Sequence, residues 1–204
     1  MYKKILSVIS RIHKQEEIII LRVISGIAKG HKLKTLKGDA TRPTSDKVKE
    51  SLFNIIAGYI PGAEVLDLYA GTGNLGIEAL SRGAESAVFV DISRESCRII
   101  KENLEHTKMQ DKGTVFNGSV QNIICKLAAQ NKMYDIIFMD PPYKKNFIVE
   151  TLNILAKNDI IKKNGILIAE HSIWDEVPED TGNLKLTSSR RYRETVLSFY
   201  KPII

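Results

Sequence analysis

The stretch Val65-Leu66-Asp67-Leu68-Tyr69-Ala70-Gly71-Thr72-Gly73-Asn74-Leu75-Gly76 decides how the rest of this chain is read. An apolar, strand-like run passes through three glycines into the periodic apolar positions of a helix, which is the pattern of a ligand-binding strand-turn-helix. Glycine allows the tight turn and the close approach of a ligand to backbone. Nucleotide, dinucleotide and methyl-donor sites all use such a turn. Asp67, four residues before Gly71, narrows the choice. A pyrophosphate seeks the positive N-terminus of the helix and gains nothing from a carboxylate beside it. S-adenosylmethionine has no phosphate but carries an ammonium and a sulfonium, so an acid at this place favours the methyl donor over NAD.

Downstream of Glu64, strands and helices alternate. Strands are expected at 64–68, 86–91, 114–117, 135–139 and 166–170, and helices at 74–81, 94–106, 120–130 and 147–156. Ile136-Ile137-Phe138-Met139 is apolar throughout, as suits a strand covered on both faces. This rhythm predicts an α/β fold with a mostly parallel, doubly wound sheet. Residues 184–192 and 195–200 have no helix between them and read as an antiparallel strand pair at one end of that sheet.

Upstream, residues 1–21 form an N-terminal extension without a motif, and 22–45 a basic segment preceding the main domain, 46–204. Arg22–Ser25 and Lys32–Leu36 read as two short strands of a β-hairpin that carries Gly26, Gly30, Lys29, His31, Lys32, Lys34 and Lys37. In Thr41-Arg42-Pro43-Thr44-Ser45-Asp46, Pro43 holds Arg42 extended and Thr44 or Ser45 can cap the next helix. That helix, about 46–58, presents Val48, Leu52, Ile55, Ile56 and Tyr59 at helical spacing.

At 204 residues with 43% hydrophobic and 26% charged content, the chain fits one ordinary globular domain. A net charge of +6 suits a polyanionic partner. Cys97 and Cys125 both fall on apolar faces of the expected helices, the setting of buried free thiols, and nothing suggests disulfides or a metal cluster. Without a membrane-length apolar run or a signal peptide, a cytoplasmic monomer is expected.

Ligands of such sheets lie at the carboxyl ends of the strands. Besides the glycine turn, Asp91 ends the second strand, 20 residues past Gly71, where a carboxylate can accept from ribose hydroxyls. Asn117-Gly118-Ser119-Val120 follows the third and could meet an adenine edge. Asp140-Pro141-Pro142-Tyr143 follows the fourth and is the most specific sequence in the chain. Its two prolines remove backbone donors, leaving carbonyls and the Asp140 carboxylate to accept, while Tyr143 offers a stacking face. Acceptors beside a stacking ring describe a site for an aromatic amine. His171, after the fifth strand, reads as a structural histidine.

The Asp140–Tyr143 tetrapeptide resembles the [Asp/Asn/Ser]-Pro-Pro-[Tyr/Phe/Trp] motif of S-adenosylmethionine-dependent amino methyltransferases. With Arg22-Val23-Ile24-Ser25-Gly26, the run Thr41 to Asn54 and the glycine turn, in this order, the chain from Arg22 to Tyr200 is similar to the bacterial 16S ribosomal RNA guanine-N2 methyltransferase family, which modifies guanine 966 of that RNA. The resemblance implies a Rossmann-like methyltransferase fold. It also implies a donor pocket containing Asp67, Gly71, Gly73, Asp91 and Ser119, to which Tyr69, Thr72, Ile92, Val120 and Asp140 are added as neighbours. It further implies a guanine held by Asp140, Pro141 and Tyr143, and 16S rRNA or the small subunit as partner. Lys29, Lys32, Arg42, Arg190, Arg191 and Arg193 are the candidate RNA contacts. The family usually has an acid at the place of Ser119, and often Tyr-Gly where this chain has Tyr192-Arg193. Because the family begins one residue before Arg22, residues 1–20 are expected to be dispensable. The alternatives are a DNA adenine methyltransferase, which shares the Asp-Pro-Pro-Tyr chemistry, a protein glutamine methyltransferase, which usually has Asn where Asp140 stands, and a non-catalytic RNA-binding assembly module.

Overall fold

A computed structural model of the chain describes residues 21–36, 46–142 and 147–203. The expectations for residues 1–20, Lys37, Arg42, the Thr44 or Ser45 cap and Tyr143 lie outside the described residues. Helix α1 (Asp46–Ile55) and a short 3-10 turn (Ala57–Tyr59) precede β1 (Glu64–Leu68), α2 (Asn74–Ser81), β2 (Ser86–Asp91), α3 (Arg94–His106), β3 (Gly113–Asn117), α4 (Val120–Ala129) and β4 (Tyr134–Met139). Then follow α5 (Phe147–Asn158), β5 (Ile161–Ser172), β6 (Leu184–Tyr192) and β7 (Thr195–Pro202). The seven strands form one sheet in the order β3-β2-β1-β4-β5-β7-β6, parallel from β3 to β5 and antiparallel at β7 and β6. The order reverses between β1 and β4, so their carboxyl ends open the crevice in which such sheets bind ligands.

Alternate side chains of the central strands feed two apolar layers. Val65, Phe89, Ile136, Phe138 and Ile168 pack under α1, α2 and α3; Leu66, Leu68, Val90, Ile137, Met139 and Leu167 pack under α4 and α5. Burial on both faces is what made these strands continuous apolar runs. β5 extends further at both ends than its apolar stretch indicated. A register shift opposite Tyr134 and Ile136 takes up the additional residues near Gly165.

Three expectations need correction. The buried stripe of α1 is Lys49, Leu52, Phe53 and Ile56, while Ile55 is exposed. The stripe keeps the 49-52-53-56 helical spacing, but its first member is a lysine, which displaced the apparent face by one position. Cys97 is buried, but Cys125 is exposed. On α4 the buried positions are 120, 123, 124 and 127, and residue 125 is turned about 100° away from 124 toward solvent. The basic hairpin shows only one bridge, Arg22 to Lys32. Val23 N–H to His31 O at 3.0 Å and Leu33 N–H to Leu21 O at 2.8 Å support it. Its extended arms are short because Ile24 and Ser25 bond to α2 rather than across the hairpin. Among the described residues, no helix is long and apolar enough to cross a membrane, and no group of three or more His, Cys, Asp or Glu is placed to hold a metal ion.

Candidate active site

The glycine turn is built from backbone that other residues adopt at a cost. Tyr69, Gly71 and Gly73 all have positive φ, at 60°, 54° and 79°. A side chain on Gly71 would meet nothing within 4 Å, so this glycine faces open space where a ligand can approach. Gly76 serves packing instead: a Cβ there would lie 2.3 Å from the Phe89 ring. Asp67, 3% exposed, accepts the Gly76 N–H at 2.9 Å and so ties the end of β1 to the first turn of α2. Burial, aided by the nearby Asp91 charge and opposed by the Gly76 bond, raises its pKa to about 7. Tyr69 turns its hydroxyl toward α5, 2.7 Å from Thr151 Oγ1, leaving mainly its backbone for the turn.

At the end of β2, the Asp91 carboxylate accepts Gly71 N–H at 2.9 Å and Ser93 N–H at 2.8 Å. Two carboxylate oxygens have about four lone-pair sites, so acceptor capacity remains for ribose hydroxyls. Ile92 beside it is 75% exposed, an apolar surface at the pocket rim of the kind that suits an adenine face. Asn117 donates to the carbonyls of Asp91 and Ile92 at 3.1 and 2.9 Å, and thereby orients the segment. Ser119 caps α4, its oxygen accepting Asn122 N–H at 3.4 Å, and Val120 is buried behind it. The third strand end therefore shapes the pocket wall with side chains already engaged. Thr72 is held from below, its carbonyl accepting from Asn103 at 2.9 Å.

Across the switch point, β1 and β4 pair with Leu68 opposite Met139, which places Asp140 and Pro141 beside the glycine turn. Among the described residues no hydrogen-bond donor reaches the Asp140 carboxylate, in contrast to Asp67 and Asp91. Burial, with the carboxylates of Glu170 and Asp67 near it, pushes its pKa well above the ordinary range. Asp67, Asp140 and buried Glu170 thus concentrate acidic groups where β1, β4 and β5 end, a donor set suited to a cationic ligand rather than a phosphate. His171 is buried; its Nδ1 donates to the Ser172 carbonyl at 2.8 Å, its Nε2 lies 2.9 Å from Ser198 Oγ, and burial lowers its pKa, as suits a structural histidine.

Several supports lay beyond sequence reasoning. Lys49 is wholly buried, with its ammonium 2.6 Å from Arg22 O, 2.6 Å from Asn74 Oδ1 and 3.3 Å from Glu78 Oε2. Burial lowers its pKa and the Glu78 charge opposes that shift. Glu78 also accepts from Ile24 N–H at 2.7 Å, Ser25 N–H at 3.0 Å and Arg82 Nε at 2.7 Å. Asn103 is a second clamp: it receives Lys34 N–H at 2.7 Å and donates to Lys34 O at 3.1 Å, besides holding Thr72. The N-terminal segment is thereby stapled to the helices that carry the glycine turn.

The candidate RNA contacts fall in two places. Lys29 sits where the N-terminal segment meets Ser81, at the carboxyl end of α2, with Ala28 N–H 3.0 Å from Ser81 Oγ. An eight-residue helix is about 12 Å long, so Lys29 stands that far along α2 from the glycine turn. Lys32 returns to the level of Arg22. Arg190, Arg191 and Arg193 are exposed on the β6–β7 hairpin. Arg193 has φ of 57°, the left-handed conformation that a glycine adopts at least cost.

The family described as "Conserved hypothetical protein 95" matches residues 21–201. The Bacillus subtilis protein named "Putative rRNA methyltransferase YlbH" is 39% identical over 181 residues, covering 89% of this chain and 98% of its own. "Ribosomal RNA small subunit methyltransferase D" of Escherichia coli is 32% identical over 166 residues, covering 81% and 82%. The solved structure titled "Putative methyltransferase yhhF" from Escherichia coli superposes with a TM-score of 0.78 at 31% identity, covering 89% of this chain and 97% of that one. With this match over nearly all the described residues, the chain belongs to the Conserved hypothetical protein 95 family.

Proposed function

We propose that the protein transfers a methyl group from S-adenosylmethionine to the exocyclic N2 amine of a guanine in the 16S RNA of the small ribosomal subunit. The observation that carries this reading is the pairing of two features across β1 and β4: a glycine turn ringed by carboxylates, and the Asp140-Pro141 acceptors beside it. The names of the relatives support ribosomal RNA as the substrate class.

Bound S-adenosylmethionine would supply a methyl carbon on a sulfonium, whose departure as a neutral thioether needs no acid. Asp91 would hold the ribose, Ile92 and Val120 the adenine, and the Gly71–Gly73 backbone together with Asp67 the amino-acid end. The amine of guanine is a poor nucleophile because its lone pair is delocalised into the ring. The Asp140 carboxylate and the Pro141 carbonyl accept its two N–H groups, localise the lone pair and aim it at the methyl carbon. A raised pKa suits Asp140 to take up the proton late in the transfer. Tyr143 stacks on the base, which must leave its own stack to enter the pocket. Lys32, Arg42, Arg190, Arg191 and Arg193 contact phosphates, with Lys29 at the far end of that surface. If Z of them do so, log affinity falls against log salt with a slope of about 0.7Z to 0.9Z.

The test is transfer of labelled methyl from the donor to three separate acceptors: small subunits lacking the modification, free 16S RNA, and duplex DNA. Label in either RNA acceptor is expected. Label in DNA alone would give the site to the adenine chemistry that shares this motif, and a protein that binds no donor would be an RNA-binding module.

A further inference from the structure

Trp174 is the only tryptophan in the chain, and it is 82% exposed. An indole buries more apolar area than almost any other side chain, so one left in water points to a use. Its exposure is built in. Asp175 N–H closes a turn onto Ser172 O at 3.1 Å, Ser172 N–H meets Asp175 Oδ2 at 2.9 Å, and Trp174 N–H meets Ser172 Oγ at 3.3 Å. Ile173 N–H, on the same turn, bonds to Glu194 O at 2.9 Å and joins it to the β6–β7 hairpin. The backbone around the indole is held from four sides, while the ring itself stays out of the core.

The position of this turn matters as much as its exposure. β5 runs parallel to β4 with Ala169 opposite Met139, so Trp174 lies past the same edge of the sheet as Asp140 and Pro141. Ser172 pairs with Thr195, so Arg193 and Glu194 form the neighbouring turn, and Arg190 and Arg191 precede it on β6. A flat exposed ring whose one polar group is the indole N–H, on the turn beside the hairpin that carries exposed arginines, is the chemistry of stacking on an unpaired nucleotide. Among the described residues of its own turn and the neighbouring one, Asp175, Glu176, Arg193 and Glu194 are charged and Ile173 is half-buried, a more polar setting than the core of a protein-docking surface. Glu176 and Glu194 disfavour phosphate at the tip itself, which leaves the ring for a base and the arginines for the backbone.

We propose that Trp174 is a stacking platform for an unpaired nucleotide flanking the methylated base. Extruding a base leaves its neighbours without a stacking partner, and the indole supplies a replacement surface at the rim of the pocket. The inference rests on the RNA methyltransferase reading above and adds a base contact that neither the glycine turn nor the Asp140 segment provides.

Because no other tryptophan contributes, fluorescence excited at the red edge of the absorption band, where the seven tyrosines scarcely absorb, reports on this side chain. Titration with a short single-stranded oligoribonucleotide should quench it strongly, and an abasic strand of equal length and charge should not. In methyl transfer to small subunits, Trp174→Ala should raise KM for the subunit about tenfold, in line with the loss of one base–aromatic contact. It should leave kcat and donor affinity within about twofold and the melting midpoint unchanged, and Trp174→Phe should recover most of the loss. Equal quenching by both strands, an unchanged KM in Trp174→Ala with active wild-type protein, or a dimer that dissociates on this substitution would each overturn the platform. A wild-type protein that methylates no ribosomal RNA yet shows base-dependent quenching would overturn the catalytic reading and support the platform.

Discussion

The two halves of the carboxyl edge are built differently. On the β1–β2 side each acidic side chain is already bonded to backbone: Asp67 to Gly76, and Asp91 to Gly71 and Ser93. On the β4–β5 side, Asp140 receives no donor among the described residues, and burial, with the Glu170 and Asp67 charges nearby, raises its pKa above the ordinary carboxylate range. In the proposed reaction one half serves as a preformed cradle and the other as a set of acceptors for a ligand with N–H groups. A methyl donor needs the first for tight, oriented binding, and an amine needs the second only when it reacts. Substitutions in the two halves should therefore separate binding from turnover.

The largest effect is expected at Asp140. Asp140→Ala should lower kcat by about a hundred- to ten-thousand-fold, the range for a group acting on the transferred proton, with donor affinity changed only severalfold; calorimetry beside a methyl-transfer assay checks both. Asp91→Ala should do the reverse. Losing a charged acceptor worth about 1.5 to 3 kcal/mol should raise the donor dissociation constant about ten- to a hundredfold, with kcat at saturating donor nearly unchanged. Equal losses of binding and turnover in both variants would erase the distinction between the halves.

Asp67 sharpens the comparison through pH. Its folded pKa of about 7 stands above the ordinary 3.8, so the stability it contributes is full below the lower value and is lost as pH rises through the upper one. A cationic ligand prefers the carboxylate, so donor affinity should rise as pH passes through about 7. Asp67→Asn retains an oxygen for the Gly76 N–H and should flatten both dependences; denaturant titrations and calorimetry at pH 6 and 8 measure them. Undiminished pH dependence in this variant would assign it to another group.

The smallest effect belongs to Arg193. Arg193→Gly relieves a left-handed arginine, an unfavourable conformation worth about 1 to 2 kcal/mol for a residue with a side chain. Glycine's greater freedom in the unfolded chain offsets part of this, so stability should move by no more than about 1 kcal/mol. RNA binding should weaken and its log–log salt slope become shallower by about one. An unchanged slope would remove Arg193 from the RNA surface.

The cradle was legible in the sequence because its parts are local. Gly71 and Gly73 announce their positive φ, and Asp91 lies at a fixed distance along the same β-α-β unit. The central strands were legible for a similar reason, since burial on both faces left runs such as Ile136 to Met139 without polar residues. Lys49, Glu78 and Asn103 were not legible, because what makes them important is contact across 27, 54 and 69 residues of chain. Lys49 also hid the true face of α1, since a lysine inside an apolar stripe reads as its boundary. Trp174 was missed because neither periodicity nor motif distinguishes an exposed ring from a buried one. Its place depends on the pairing of β5 with β7.

The central claim, that the Asp140 half receives the N2 amine of a guanine, is tested most directly by identifying the product nucleoside. Small subunits lacking the modification are methylated from labelled donor in a single turnover, the RNA is digested, and the labelled nucleoside is determined. The account predicts N2-methylguanosine as the sole labelled product, formed by the wild-type protein and not by Asp140→Ala. A methylated adenosine, or a guanosine methylated on a ring nitrogen, would contradict it.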